Sequence, residues 1–276
     1  MSAPSIAFIG GGNMAASIIG GLLASGFTAQ SLWASDPNPD SLAKLAALGP
    51  VNTTADNAEA VNAADIVVMA VKPQIMATVA KSIAPLLESG RKPLIISIAA
   101  GITSASLDQW LGGRQAIVRC MPNTPALVQT GATALFANNQ VSDTQRQQAQ
   151  QILEAVGIAL WVDTETELDA VTAVSGSGPA YFFLVMEAIQ AAGRELGLSP
   201  ELAEKLTLQT ALGAAKMAIN GEVDAAELRR RVTSPNGTTE RAIGIFEAGD
   251  LRGLFMKALN GAKVRSEELA KELEEN

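Results

Sequence analysis

Short apolar runs and amphipathic stretches alternate along the chain up to residue 162. The β-rich runs fall at 5–10, 32–35, 66–69, 94–98, 117–120, 133–137 and 159–162. Between them, positions 13–25, 41–48, 57–63, 75–87, 104–111 and 143–156 repeat their apolar residues at helical spacing. That alternation predicts an α/β domain, a mostly parallel sheet with helices on both faces. After residue 162 the strand pattern stops. From 165 onward the chain reads as helical, with breaks at 175–179, 197–200, 221 and 233–237. The expected division is an α/β domain over 1–163 and an all-α domain over 164–276, marked by a change of element type rather than by a linker. Stretches such as 178–196 and 202–219 are rich in Ala and Leu on more than one face. Such helices suit burial against a second subunit as well as against the home domain.

Composition narrows the function classes. With 276 residues, 48% of them hydrophobic, the chain can bury one large core or two modest ones. A net charge of −8 without a basic stripe argues against nucleic acid as a main partner. The one basic run, Arg229-Arg230-Arg231, follows Glu227; it reads as a solvated helix face or a contact with a single phosphate. There is no histidine and only one cysteine, Cys120. An internal disulfide is therefore excluded, and Cys120, which ends an apolar run, is expected to be a buried inert thiol. No metal site is expected, because the carboxylates that remain as ligands show no ligand-loop spacing. Neither a signal peptide nor an apolar run near twenty residues is apparent, so the expectation is a cytoplasmic protein with no membrane partner.

Gly10-Gly11-Gly12-Asn13-Met14-Ala15 follows the first strand and opens a helix, matching G-x-G-x-x-A in the context that gives this motif meaning. Gly10 permits the tight turn, Gly12 lets a pyrophosphate approach the backbone, and Ala15 keeps the helix close to the strand. The second strand ends Ala34-Ser35-Asp36-Pro37. There Asp36 is placed to accept hydrogen bonds from an adenosine ribose, which favours NAD, or simply to form an Asp-Pro turn. Ala70-Val71-Lys72-Pro73 and Ala99-Ala100-Gly101 end two further strands, at the sheet edge where open α/β folds bind ligands. Lys72 there faces a ligand or is a surface lysine. Met121-Pro122-Asn123-Thr124-Pro125 ends another strand and offers Asn123 for polar contacts.

Late in the chain, Ser234-Pro235-Asn236-Gly237-Thr238-Thr239 precedes a helical pattern. The first turn of a helix has unpaired amides and the positive end of the dipole, so this run can bind a small anion. It can also do no more than cap the helix at 240–248, with Thr239 as the cap.

Together these segments resemble pyrroline-5-carboxylate reductase along essentially the whole chain. The carriers are Ile9 to Ala15, Ala70-Val71-Lys72-Pro73, Arg119 to Pro125, Ser175-Gly176-Ser177-Gly178-Pro179-Ala180-Tyr181, and Ser234 to Thr239. The resemblance implies an N-terminal Rossmann-type doubly wound sheet followed by an all-α C-terminal dimerisation domain. It also implies a homodimer, in the family often assembled further into a decamer, that reduces 1-pyrroline-5-carboxylate to L-proline with NADPH or NADH. Carried over position by position, it places Gly11, Asn13, Met14, Asp36, Asn57, Val71, Lys72 and Ala100 on the cofactor. Gly10, Gly12, Ala15, Ser35, Ala70 and Pro73 flank them in the same segments and join the candidate cofactor set, as does Asn123 in the loop Met121 to Pro125. Glu222, Asn236, Gly237, Thr238 and Thr239 form the substrate set, with Thr239 as the candidate catalytic hydroxyl. The chain departs from the pattern in three places. Asp36 stands where NADPH-using relatives often have a hydroxyl, Arg231 where some have an uncharged polar residue, and Asn236 where a glycine is common.

The missing histidine fits this chemistry. Reducing a carbonyl builds an alkoxide that needs a proton donor, whereas a protonated cyclic imine becomes a neutral amine on hydride addition. Orientation and carboxylate binding then suffice. Two other readings stand beside this one. A β-hydroxyacid dehydrogenase would carry a catalytic lysine on the helix after the Gly-Ser-Gly segment, and residues 178–196 hold none. A non-catalytic dinucleotide-binding protein would bind cofactor without turnover.

Overall fold

The structure is a computed structural model that describes residues 4–89 and 92–274. Eight strands form one sheet: β1 (Ile6–Ile9), β2 (Leu32–Ser35), β3 (Asn52–Thr54), β4 (Ile66–Met69), β5 (Leu94–Ser97), β6 (Ile117–Met121), β7 (Gly131–Ala137) and β8 (Gly157–Trp161). Their order is β3-β2-β1-β4-β5-β6-β7-β8. All pairings are parallel except β6 with β7. The connection between those two is a single 3-10 turn, Thr124–Val128, too short for a crossover helix, so the chain reverses. The expected doubly wound sheet is present, and it contains one strand the hydrophobic pattern missed. β3 is Asn-Thr-Thr at the sheet edge, polar and three residues long, so it carries no apolar period.

The central strands are apolar throughout because both faces are covered. In β1, Ile6 and Phe8 join the core beneath α1 (Asn13–Ala24), α2 (Pro39–Ala46) and, farther along, α6 (Asp143–Glu154). Ala7 and Ile9 point the other way, into the core shared with α3 (Asn57–Asn62), α4 (Pro73–Ser89) and α5 (Ser104–Trp110). The period of two along the strand thus distributes one sequence run between two cores.

Beyond β8 the chain is helical: α7 (Glu167–Val171), α8 (Gly178–Glu195), α9 (Pro200–Asn220), α10 (Ala225–Arg231), α11 (Thr238–Ala248) and α12 (Leu251–Glu274). The break expected at 175–179 is reduced to a single bend at Ser177. Thr172–Gly176 is a π-helical turn that joins α7 to α8, closed by the Ser177 amide on the Thr172 carbonyl at 2.8 Å. The hydroxyls of Thr172 and Ser175 bond back to the carbonyls of Leu168 and Val171, and Pro179 falls in the first turn of α8, where no amide donor is required. The helical stretch Glu167–Glu195 spans 29 residues and holds an 18-residue window of mean hydropathy 1.2, long and apolar enough to cross a membrane by length and composition alone. The apolar run that was not apparent in the sequence is assembled by this continuity.

By packing, the molecule divides into two units. One comprises the residues up to Ser177 and those from Gly261 on; the other is Gly178–Asn260. The C-terminal part of α12 thus belongs with the sheet. There Leu269, Ala270 and Leu273 lie against the loop after β5, close to Gly101, and Ser266 donates to Asp169 at 2.7 Å. The helical unit buries little of its apolar surface: Phe182, Phe183, Leu184, Leu206, Ile219 and Phe246 are all more than half exposed.

Candidate active site

In the sheet unit, strand order reverses between β1 and β4, and the loops after β1, β2, β4 and β5 gather at one edge around that switch point. Gly10 turns sharply out of β1 with φ +103; a Cβ there would lie 2.8 Å from the Ala70 carbonyl oxygen. Its amide bonds to the Ser35 carbonyl at 2.8 Å, and the Ala70 amide to Ile9 at 2.8 Å. Gly12 is the N-cap of α1, and a Cβ on it would meet nothing within 4 Å. Open space over a glycine at a helix start is what an approaching pyrophosphate requires. No side chain caps α1 and its first turn has no acidic residue. By contrast α2, α3, α5, α6, α9 and α10 are each capped by an Asn, Asp, Thr or Ser side chain. The amides of α1 are thus left for an anion, and the residues present fit a dinucleotide.

The other candidate cofactor residues surround this loop. Ala15 is fully buried and seats α1 on the sheet, Met14 packs against the core, and Asn13 is exposed. Asp36 accepts from the Gly11 amide at 2.7 Å through one oxygen and from the Asn38 amide at 2.8 Å through the other. Its carboxylate therefore braces the glycine loop as well as standing at the end of β2. Ser35, buried, donates to the Asn57 side chain at 2.6 Å and links β2 to the start of α3. Val71 is half-buried, Lys72 is exposed, and Pro73 opens α4. Ala100 is exposed beside Gly101, whose φ is +77. Pro73, Ala100 and Gly101 line a depression of about 280 Å³ together with Thr172, Ser177 and Leu269. The amide group of Asn123 is occupied within the protein: its nitrogen donates to the Ser175 carbonyl at 3.0 Å, and its oxygen accepts from the Ala132 amide at 2.9 Å.

Two features of this unit were not read from the sequence. Arg119 is only 6% exposed and bonds Glu165 at 3.0 Å, while Glu165 also accepts from the amide and hydroxyl of Ser104, both at 2.6 Å. This strut joins β6, α5 and the approach to α7. The second feature is the wall of the depression formed by Thr172, Ser177 and α12. Cys120 is buried, and burial pushes its thiol far above the ordinary range, in keeping with an inert side chain.

In the helical unit, Asn236 adopts φ +61, the left-handed conformation that asparagine tolerates best among non-glycine residues. Its amide bonds the Glu240 carboxylate at 2.7 Å, and the Gly237 amide bonds the Ser234 carbonyl at 3.0 Å. Helix α11 begins at Thr238, with Gly237 as N-cap and no side-chain cap. The alternative in which Thr239 caps a helix over 240–248 is therefore corrected: Thr239 is inside the first turn because glycine occupies the cap. Among the described residues nothing accepts from the Thr238 and Thr239 amides. Thr239 is half-buried, and Glu222 is exposed in the turn between α9 and α10. Arg231 and Arg230 both pair with Glu227, so the basic run is a helix face with its own counter-ion.

A family model described as pyrroline-5-carboxylate reductase dimerisation matches residues 165–269. A second, described as NADP oxidoreductase coenzyme F420-dependent, matches residues 5–101. The chain is 59% identical to the pyrroline-5-carboxylate reductase of Pseudomonas aeruginosa over 99% of both sequences. It is similar to the structure of a pyrroline-5-carboxylate reductase from Coxiella burnetii, with a TM-score of 0.93 and 47% identity over 97% of this chain and 99% of that one. For the Plasmodium falciparum enzyme with NADP bound, the TM-score is 0.85 at 30% identity, over 98% and 99% of the two chains.

Proposed function

The chain belongs to the pyrroline-5-carboxylate reductase family, and we propose that its two glycine-capped helix starts hold the two reactants, α1 the dinucleotide and α11 the substrate carboxylate. The reaction is reduction of 1-pyrroline-5-carboxylate to L-proline, the last step of proline biosynthesis, with NAD(P)H. When bound, the dinucleotide supplies the hydride. The chain supplies binding and orientation. Gly12, Asn13 and Met14, at the open start of α1, receive the pyrophosphate on a loop that Gly10, Gly11 and Ala15 shape; Ser35, Asp36 and Asn57 lie toward the adenosine; Ala70, Val71, Lys72, Pro73 and Ala100 lie toward the other half. The free amides of Thr238 and Thr239, at the positive end of α11, receive the substrate carboxylate. The Thr239 hydroxyl is the group we place at the ring nitrogen, with Asn236, Gly237 and Glu222 shaping that side.

The observation that carries this reading is the missing side-chain cap at α1 and α11. An imine needs little more from a protein: once protonated it accepts hydride without building an oxyanion, and orientation alone can remove about 7–11 kcal/mol of a barrier. A chain with no histidine can therefore catalyse it. The exposed apolar surface of the helical unit and the dimerisation match over 165–269 support a homodimer, which we place in the cytoplasm, with the apolar stretch Glu167–Glu195 buried between copies rather than in lipid. The test is cofactor oxidation with pyrroline-5-carboxylate, NADH and NADPH being supplied in turn, with sedimentation of the same sample. Proline formation by a dimer is the expected outcome. A fully active monomer would overturn the homodimer, and normal catalysis by a Thr239→Val variant would overturn the placement of that hydroxyl.

A further inference from the structure

In an α-helix the Ser175 carbonyl would accept from the amide of residue 179, but residue 179 is proline and has no N–H. A carbonyl without a partner at a half-buried position is costly, and the missing donor comes from far away in sequence. Asn123, 9% exposed in the β6–β7 connection, donates its side-chain nitrogen to the Ser175 oxygen at 3.0 Å. Its oxygen is held by the Ala132 amide at 2.9 Å, which fixes the direction of the donor. The same connection supports the turn at a second point: a Cβ on Gly176 would lie 2.5 Å from the terminal carbon of Met121. The π-turn Thr172–Gly176 is therefore shaped from outside, by the end of β6.

The turn faces the site. Thr172 and Ser177 line the depression that Pro73 and Ala100 close from the carboxyl ends of β4 and β5. A dinucleotide whose adenosine lies over β2 and whose pyrophosphate lies over β1 and α1 extends its nicotinamide half toward β4 and β5. Resting on the cofactor placement proposed above, we infer that Asn123 is a positioning residue for the nicotinamide ring, acting by holding the π-turn that forms one wall of its pocket. Its amide replaces the donor that Pro179 lacks.

Asn123→Asp keeps the acceptor for Ala132 and removes the donor to Ser175. It should lower kcat and the affinity for NAD(P)+ by about tenfold or more each, as for a buried polar group left unpaired. ADP-ribose, which lacks the nicotinamide, should bind within about twofold of wild type. Adding Pro179→Ala, which restores a backbone N–H for Ser175, should recover part of the loss; a role confined to stability would not separate the two ligands in this way. Wild-type protein gives an independent reading: hydrogen exchange at 172–177 should slow with NAD(P)+ and not with ADP-ribose. Equal protection by both ligands, or an Asn123→Asp variant with an unchanged ratio of the two affinities, would overturn the inference. The exchange measurement does not depend on turnover, so inactivity toward pyrroline-5-carboxylate would count against the proposed reaction and leave this inference standing.

Discussion

Helix α1 starts on Gly12 and helix α11 on Gly237, neither with a side-chain cap, yet they are supported in opposite ways. Behind the first stands a complete core. Ala15, Ile18, Ile19 and Leu22 of α1 are buried against the sheet, and the loop before it is pinned by bonds to Ser35 and Asp36. The second has no buried residue in its whole helix, and Ile245 and Phe246 are 61% and 55% exposed. A helix start can present its amides accurately only if the helix cannot move. The nucleotide loop thus has its shape from its own unit. The loop before α11 needs apolar cover from elsewhere, which is the physical content of reading the helical unit as an interface between copies.

The sharpest way to break the first half of this comparison is Gly10→Val. The left-handed φ of +103 and the carbonyl 2.8 Å from the new Cβ leave a β-branched residue no relaxed conformation. Strain of about 1–3 kcal/mol from the backbone alone is expected. Displacement of the loop should lower cofactor affinity on the order of 100-fold, read by fluorescence titration.

On the other side, Thr239→Val removes only a hydroxyl. A lost hydrogen bond to a charged group costs about 1.5–3 kcal/mol, or roughly 10- to 150-fold in kcat/KM if it is made in the transition state. Since Gly237, not Thr239, is the cap, Tm and cofactor affinity should stay at wild-type values. A matched drop in Tm and activity would show that the side chain serves the helix instead.

Gly12→Ser tests whether the α1 cap is left open for a ligand. Serine is the better N-cap by a few tenths of a kcal/mol, and its Cβ has free space. Stability should therefore hold or rise while cofactor affinity falls by about tenfold, because the hydroxyl takes an amide the pyrophosphate needs. The same change at Gly237 should behave differently. There the new Cβ would sit 3.0 Å from the Ser234 carbonyl, so stability falls together with kcat/KM.

The smallest expected effect is at Asp36. A carboxylate beside a 2′-phosphate repels it, so Asp36→Ser should shift the NADPH-to-NADH ratio of kcat/KM upward. Loss of the bond to the Gly11 amide should weaken both cofactors somewhat, and the net shift should be about three- to tenfold. An unchanged ratio would remove Asp36 from the adenosine pocket.

Legibility in the sequence followed the range of the interactions involved. The loop at Gly10–Ala15 and the turn at Asn236–Gly237 could be read because glycine and asparagine at fixed offsets meet backbone requirements spanning a few residues. The core strands could be read because burial on both faces leaves unbroken apolar runs. β3 could not, since an edge strand of Asn-Thr-Thr has neither apolar run nor alternation. The π-turn was read as a break because Ser, Gly and Pro interrupt helices unless something outside supplies the missing bond.

What the amino-acid order determined by itself was therefore local: element types, the glycine loop before α1, the Asn236-Gly237 turn, and the absence of imidazole chemistry. Tertiary structure alone decided which distant groups complete them. Asn123 meets Ser175 across 52 positions, Ser266 meets Asp169 across 97, and Thr103 meets Glu274 across 171. Such pairs leave no periodic trace along the chain, because nothing but the folded path of the backbone brings a donor to an acceptor so remote in sequence.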